Sequence, residues 1–224
     1  MVLFTNGCSW TYGGGLKLDH KKYDNFRPNL VWPKQLGDLL NASNTINLAV
    51  GCGSNQRIVR TTHEWFIKNY DPSENYIAII QWTEFSRYEY YVTKSPLDDF
   101  ENNPDKWAKV KTGIVLSNHE ENLNTALKRS GERFKTYTEI EGTFNHLRDC
   151  TSLAYLFDKL GIRYYFWNFN HFINNPMFTT YFNDFPYLDS RDWEYRRVSP
   201  TDAHPSIQGH REIAKIIHNL IDSQ

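Results

Sequence analysis

Residues 76–80 read Tyr76-Ile77-Ala78-Ile79-Ile80, five apolar positions in a row with nothing polar on either alternating face. The run is too short for a buried helix and rich in β-branched residues, so it reads as a strand covered on both sides. A strand of that kind needs helices above and below its sheet. The rest of the chain supplies them in alternation. Val2-Leu3-Phe4-Thr5 is a second short apolar run, stopped at Asn6-Gly7. Apolar residues then recur at helical spacing between 30 and 40 (Leu36, Leu39, Leu40), with Pro33 near the start, where proline is tolerated. Residues 45–50 form a further strand pattern, closed by Gly51-Cys52-Gly53. Ser54 can cap a helix in which Ile58, Thr62, Trp65 and Phe66 share a face, ended by Asp71-Pro72.

Beyond residue 80 the pattern changes. Residues from about 84 to 133 carry frequent charges and the breaks Ser95-Pro96, Asn103-Pro104 and Gly113. They read as an insertion or lid with some helix. Residues 134–160 return to helical spacing through Phe144, Leu147, Thr151, Ala154 and Phe157, with Gly161 as terminator. Residues 162–167 are a strand pattern. A helix from about 206 to 221 follows, with Ile213, Ile216, Ile217 and Leu220 facing inward. This order specifies an α/β fold: a flavodoxin-like three-layer α/β/α sandwich with a mostly parallel sheet of about 4–5 strands, spanning 1–224 as a single domain.

In such a sheet, ligands bind beyond the carboxyl ends of the strands. Four loops expected at that edge carry reactive residues. They are Gly7-Cys8-Ser9-Trp10-Thr11-Tyr12-Gly13, Gly51-Cys52-Gly53-Ser54-Asn55, Gln81-Trp82-Thr83-Glu84 and Asp202-Ala203-His204-Pro205. A serine hydroxyl becomes nucleophilic when a base takes its proton. Histidine is the natural base near neutral pH, and an adjacent acid fixes its tautomer. Backbone N–H groups beside glycines can cradle the oxyanion of an acyl-transfer intermediate. Each loop taken singly also has a plain reading as a turn or a helix cap.

Together and in this order, the blocks resemble those of the SGNH (GDSL-like) hydrolase superfamily. Gly7-Cys8-Ser9 stands where that family has Gly-Asp-Ser after the first strand, and Asp202-Ala203-His204-Pro205 is similar to its Asp-x-x-His-Pro before the last helix. The resemblance implies Ser9 as nucleophile, its backbone N–H as an oxyanion donor, His204 as general base and Asp202 as its acid. It implies Gly53 as a second oxyanion donor, with Gly51 as rival. The chain departs in three places. Cys8 replaces the Asp of the first block, the Asp–His spacing is one residue shorter, and Gln81-Trp82-Thr83-Glu84 lacks the Asn of the third block. Thr83 or Gln81 is the expected substitute for that Asn, with Asn55, Trp10 and Trp82 as further substrate-binding candidates. The wording is also similar to SGNH-like proteins of tailed bacteriophages and marine bacteria, which implies a virion or host-surface role.

The aromatic share is 16%, with 7 Trp, 14 Tyr and 14 Phe. Core filling and an aromatic-lined cleft both explain it, the latter with Trp10, Tyr12, Trp82, Trp167 and Trp193 stacking on sugar faces. The expected function is therefore hydrolysis of a small acyl ester, acetyl on an acylated polysaccharide first among them. The competing reading is a non-catalytic glycan-binding or structural (virion) module. Cys8 or Cys52 as nucleophile is a third. Arg57 and Arg87 would bind an anionic substrate or form surface ion pairs.

A net charge of −1 with dispersed Lys and Arg argues against nucleic acid. No run approaches the length of a membrane-spanning helix, and the first residues lack a signal peptide's pattern, so a cytoplasmically made protein is expected. Three cysteines at no zinc-like spacing read as reduced thiols. His204 and His210 lack a third ligand, so no metal is expected, and no cofactor.

Overall fold

The computed structural model describes residues 1–16, 27–91, 107–111, 114–116, 137–168, 185–188 and 193–223. The chain begins with β1 (Val2–Asn6), the four-residue helix α1 (Ser9–Tyr12), then α2 (Arg27–Leu30) and α3 (Trp32–Leu39). β2 (Asn44–Asn47), α4 (Asn55–Asn69) and β3 (Tyr76–Trp82) follow. β2, β1 and β3 pair in parallel, with Val2 opposite both Asn44 and Tyr76. β4 (Tyr88–Tyr91), β5 (Trp107–Lys111) and β6 (Ile114–Leu116) form a separate antiparallel sheet. α5 (Glu139–Leu160) leads into β7 (Arg163–Asn168), which pairs in parallel with β3. The hairpin β8 (Arg197–Ser199) and β9 (Asp202–Pro205) then delivers the chain to α6 (Ile207–Asp222).

The main sheet runs β2-β1-β3-β7. Tyr187 extends it by a parallel bridge to Phe166, in which Leu188 N–H donates to Phe166 O at 2.7 Å. Side-chain alternation divides the core in two. Val2, Phe4, Ala78, Ile80, Trp82 and Phe166 pack on one face with Ile58 and Phe66 of α4 and Leu153 and Phe157 of α5. Leu3, Ile77, Ile79, Tyr165 and Trp167 pack on the other with Trp32 and Leu36 of α3 and Ile213, Ile217 and Ile221 of α6. Every residue of β3 is buried. Fully burying a side chain of the Ile or Phe class contributes about 1.5–3 kcal/mol, so this strand holds the two helical layers together. The sandwich expected from the alternation is the fold observed.

Several expectations shift. The second strand ends at Asn47, with Leu48 N–H still donating to Thr5 O on β1 at 3.0 Å. The helix expected from 134 begins at Glu139, because the Thr138 side chain caps it by accepting from Glu141 N–H; residues 134–136 lie outside the described residues. Its buried stripe runs through Thr143, His146, Cys150, Leu153 and Phe157, while Phe144 and Thr151 are exposed. A polarity pattern favours Phe144 over His146, yet His146 is buried because it has partners: Nε2 lies 2.9 Å from Tyr187 Oη, and Nδ1 lies 3.4 Å from Asn55 Nδ2. Within 84–133, the described residues are 84–91, 107–111 and 114–116, which include β4–β6; the rest of that expected insertion, where helix was anticipated, lies outside them. Among the described residues, no helix is long and apolar enough to cross a membrane.

Candidate active site

Ser9 opens α1 directly after β1, with Cys8 as an extended N-cap residue and Gly13 closing the helix at φ +83°. At the first position of a helix, a backbone N–H has no acceptor four residues back. The turn is anchored from below by Asn6, whose Nδ2 reaches Ile58 O, Thr61 Oγ1 and Thr62 Oγ1 on α4, while its Oδ1 accepts from Gly7 N–H. Asn47 ties the far end, donating to Thr11 O at 3.2 Å. The buried Asn6 and the half-buried Asn47 thus tether the turn that carries Ser9.

Asp202 and His204 arrive on a strand. β8 and β9 pair as a hairpin in which Ser199 faces Asp202, and Asp202 N–H donates to Ser199 Oγ. Alternate residues of a strand share a face, so Asp202 and His204 lie side by side while Ala203 is exposed. The shortened Asp-x-His spacing is the spacing a strand requires. His204 Nδ1 is 2.7 Å from Asp202 Oδ1, and its Nε2 is 2.8 Å from Ser9 Oγ. Chemistry assigns the tautomer: Nδ1–H donates to the carboxylate, and the serine hydroxyl donates to Nε2. The carboxylate also accepts from His204 N–H at 3.1 Å. All three side chains are half-buried. That arrangement can move a proton from Ser9 to His204 and stabilise the imidazolium.

Two neighbours hold the histidine. The Trp10 ring lies 6.1 Å from it and packs edge-on against Tyr195 at 5.3 Å, and Tyr195 Oη donates to Ala203 O. The Gly13-Gly14-Gly15 run passes against both Ser9 and His204. A Cβ on Gly14 would stand 2.9 Å from Ser9 Cβ, and one on Gly15 would overlap His204 Cβ. Close approach of backbone to an active group is a known use of glycine, and three in a row after a serine was the signal available. His210, one helical turn into α6, is fully buried, and its Nδ1 accepts from Trp32 N–H. Burial, then the nearby His204, pushes its imidazole down to about 3, so it stays neutral beside the base.

The remaining candidates gather at the same sheet edge but face inward. Gly53 backs onto Gly7 O, and its N–H closes a turn on Val50 O at 3.2 Å. Asn55 brackets Thr83, accepting from its N–H at 2.9 Å and donating to its carbonyl at 3.1 Å. Thr83 is fully buried and its N–H is occupied. Gln81 is fully buried too: Oε1 accepts from Cys8 N–H and Thr11 Oγ1, and Nε2 donates to Trp82 O. As placed, neither Gln81 nor Thr83 offers a surface to a substrate, and Asn55 is 5% exposed. Trp82 and Trp167 are core residues at 0% and 1% exposure, and Trp10 is buried at 5%. The stacking platform expected from these three rings is corrected by their burial. Trp193 stacks on Trp167 at 4.9 Å, and Tyr12, on α1 with Ser9 and 37% exposed, lies under the Arg27 guanidinium.

Cys8 is fully buried, and Cys52 is half-buried at φ +58°; among the described residues, neither has an acid–base partner of the kind Ser9 has. Burial pushes the Cys150 thiol well up. Arg87 pairs with Glu84 at 3.2 Å and Arg57 donates to Leu48 O, so both have intramolecular roles. Among the described residues, no cluster of three His, Cys, Asp or Glu is arranged to hold a metal.

Solved structures with this fold include a protein assigned to the G-D-S-L family of lipolytic proteins from Desulfitobacterium hafniense DCB-2, with a TM-score of 0.53, 10% identity, and 98% of each chain covered. Another is TesA, at a TM-score of 0.52 and 8% identity, covering 100% of this chain and 99% of that one. At such identities the likeness is one of fold. No curated protein sequence matches the chain. One sequence family matches residues 16–170, more than half of the 224 residues. That stretch contains Gly53, Asn55, Gln81 and Thr83 but not Ser9, Asp202 or His204. The chain therefore belongs to the family described as "Family of unknown function (DUF6071)", with an α/β fold shared by G-D-S-L lipolytic proteins.

Proposed function

We propose that this protein is a serine esterase that removes a small acyl group, with Ser9 as nucleophile, His204 as general base and Asp202 as the acid that orients it. The observation that carries the reading is the unbroken relay from Asp202 Oδ1 through His204 to Ser9 Oγ, at 2.7 and 2.8 Å. In the first half-reaction, Ser9 Oγ attacks the ester carbonyl as its proton passes to His204 Nε2. The oxyanion forms beside the Ser9 N–H. His204 returns the proton to the leaving alcohol, and the acyl group stays on Ser9. Water then attacks the acyl-serine with His204 again as base, releasing the acid and restoring the hydroxyl. Gly53 N–H joins as a second donor only by giving up its turn bond to Val50 O.

Acetyl esters of carbohydrates are the first substrates to test. With three of the candidate rings buried, Tyr12 is the stacking surface proposed for them. The burial of Gln81 and Thr83 favours one second reading, a glycan-binding or structural module without turnover. Both are tested by hydrolysis of p-nitrophenyl acetate and labelling with a fluorophosphonate, beside Ser9→Ala. Turnover and a single label on Ser9, both lost in the variant by about 10³-fold or more, are the expected result. Equal, negligible rates in the two proteins would move the assignment to the binding module.

A further inference from the structure

Gln81 is a buried amide whose hydrogen bonds meet the nucleophile turn from beneath. Its Oε1 accepts from Cys8 N–H at 3.0 Å and from Thr11 Oγ1 at 3.1 Å, the residues one before and two after Ser9. Its Nε2 donates to Trp82 O, which fixes which end of the amide points at the turn. Gly7 completes the contact. A Cβ there would stand 2.8 Å from Gln81 Oε1 and 2.5 Å from Thr11 Oγ1, so the turn lies directly on the amide. The residue is 0% exposed and sits at the end of β3, the strand buried along its whole length. One rigid acceptor on the central strand therefore sets both the entry and the exit of the turn that carries Ser9.

We propose that Gln81 is a positioning residue for Ser9: its carbonyl oxygen, by holding Cys8 N–H and Thr11 Oγ1 together, keeps the hydroxyl within reach of His204 Nε2. The role rests on the esterase reading for its kinetic consequence, and not for its geometric one. In the unfolded chain these donors are hydrated. In the fold, removing the acceptor leaves a buried N–H and a buried hydroxyl unsatisfied, which favours a shift of the turn toward other partners. A displacement of about 1 Å at a reacting atom can cost about 10²-fold in rate. Gln81 touches no substrate, so the loss falls on the chemical step.

The test uses the full chain with Gln81→Met, Gln81→Glu and Thr11→Val, and a control, Leu153→Ala, which weakens the core on α5 away from Ser9. Gln81→Met is expected to lower kcat for p-nitrophenyl acetate, and the rate of fluorophosphonate labelling, by about 10–100-fold with KM within twofold. Leu153→Ala is expected to leave both within threefold at a temperature where each variant is folded. Gln81→Glu, whose carboxylic acid is isosteric with the amide and keeps the acceptor oxygen, is expected to recover most of the lost rate. Thr11→Val in the Gln81→Met background is expected to add little, because the two act as one unit. A second readout needs no turnover: Cys8 amide hydrogen exchange accelerates and the His204 ring ¹⁵N signals shift in Gln81→Met. If the wild type neither labels nor turns over, the esterase reading fails, and the exchange and ¹⁵N data alone decide the positioning role. Labelling rates and His204 signals in Gln81→Met equal to wild type would overturn it, as would a loss shared in equal measure by Leu153→Ala.

Discussion

Gly15 shows how little room the His204 side chain has. A single methyl added there would overlap His204 Cβ and crowd Val198. Gly15→Ala is expected to push the imidazole away from Ser9 and to lower esterase kcat by about 10²-fold. Parallel measurements of kcat and thermal midpoint check this. A midpoint that falls while kcat is unchanged would show that the hairpin, and not the ring, gives way. The same scale explains what the sequence made legible. Ser9, His204 and Asp202 stand out as candidates because acyl-transfer chemistry demands those residue types. The glycines beside them were not assigned a role, because steric exclusion is a property of neighbours that only the fold brings together.

At the scale of elements, β9 and α5 carry opposite lessons. The Asp-x-His spacing is one residue shorter than in the resembled family, yet a strand presents alternate residues on one side, and the hairpin supplies that strand. On α5, the apolar pattern pointed to Phe144 and Thr151, which are exposed, and away from His146, which is buried with Tyr187. Polar residues that find partners across a fold cannot be ranked by polarity. Asp149 on the same helix is the costly member: it is 6% exposed, and burial, offset in part by Arg148, pushes its carboxyl up to about 6. Its folded value lies above the unfolded one, so its protonated form is favoured in the fold, and stability is lost as pH rises from about 4 through 6. Asp149→Asn is expected to stabilise the protein by about 1–3 kcal/mol at pH 7.5, with the gain gone below pH 4. Urea unfolding at both pH values checks it.

For the whole molecule, the buried histidines set the acid limit. Burial pushes His146 and His210 down to about 3. Both contribute stability that is complete above an unfolded value of about 6.5 and is lost as pH falls toward 3. Near pH 5 they make the unfolded chain bind two more protons than the fold, and Asp149 makes it bind one fewer. From these three groups, stability is expected to fall by about 1.4 kcal/mol per pH unit, and by about twice that in Asp149→Asn. Unfolding curves from pH 6 to 4.5 test the slope, and an unchanged slope in the variant would refute the account. The sequence by itself determined the layered α/β architecture, because strand and helix periods are local and β3 can be buried on both faces only between helices. It also pointed to Ser9, His204 and Asp202 as candidates, through residue chemistry and chain order. Only the tertiary structure decided which polar groups face a substrate and which face each other. Gln81, Thr83, Asn55 and Trp82 share one sheet edge with Ser9, but their partners come from α1, α4 and α5, tens of residues away. Burial of a polar side chain depends on those long-range partners, and no local pattern records them.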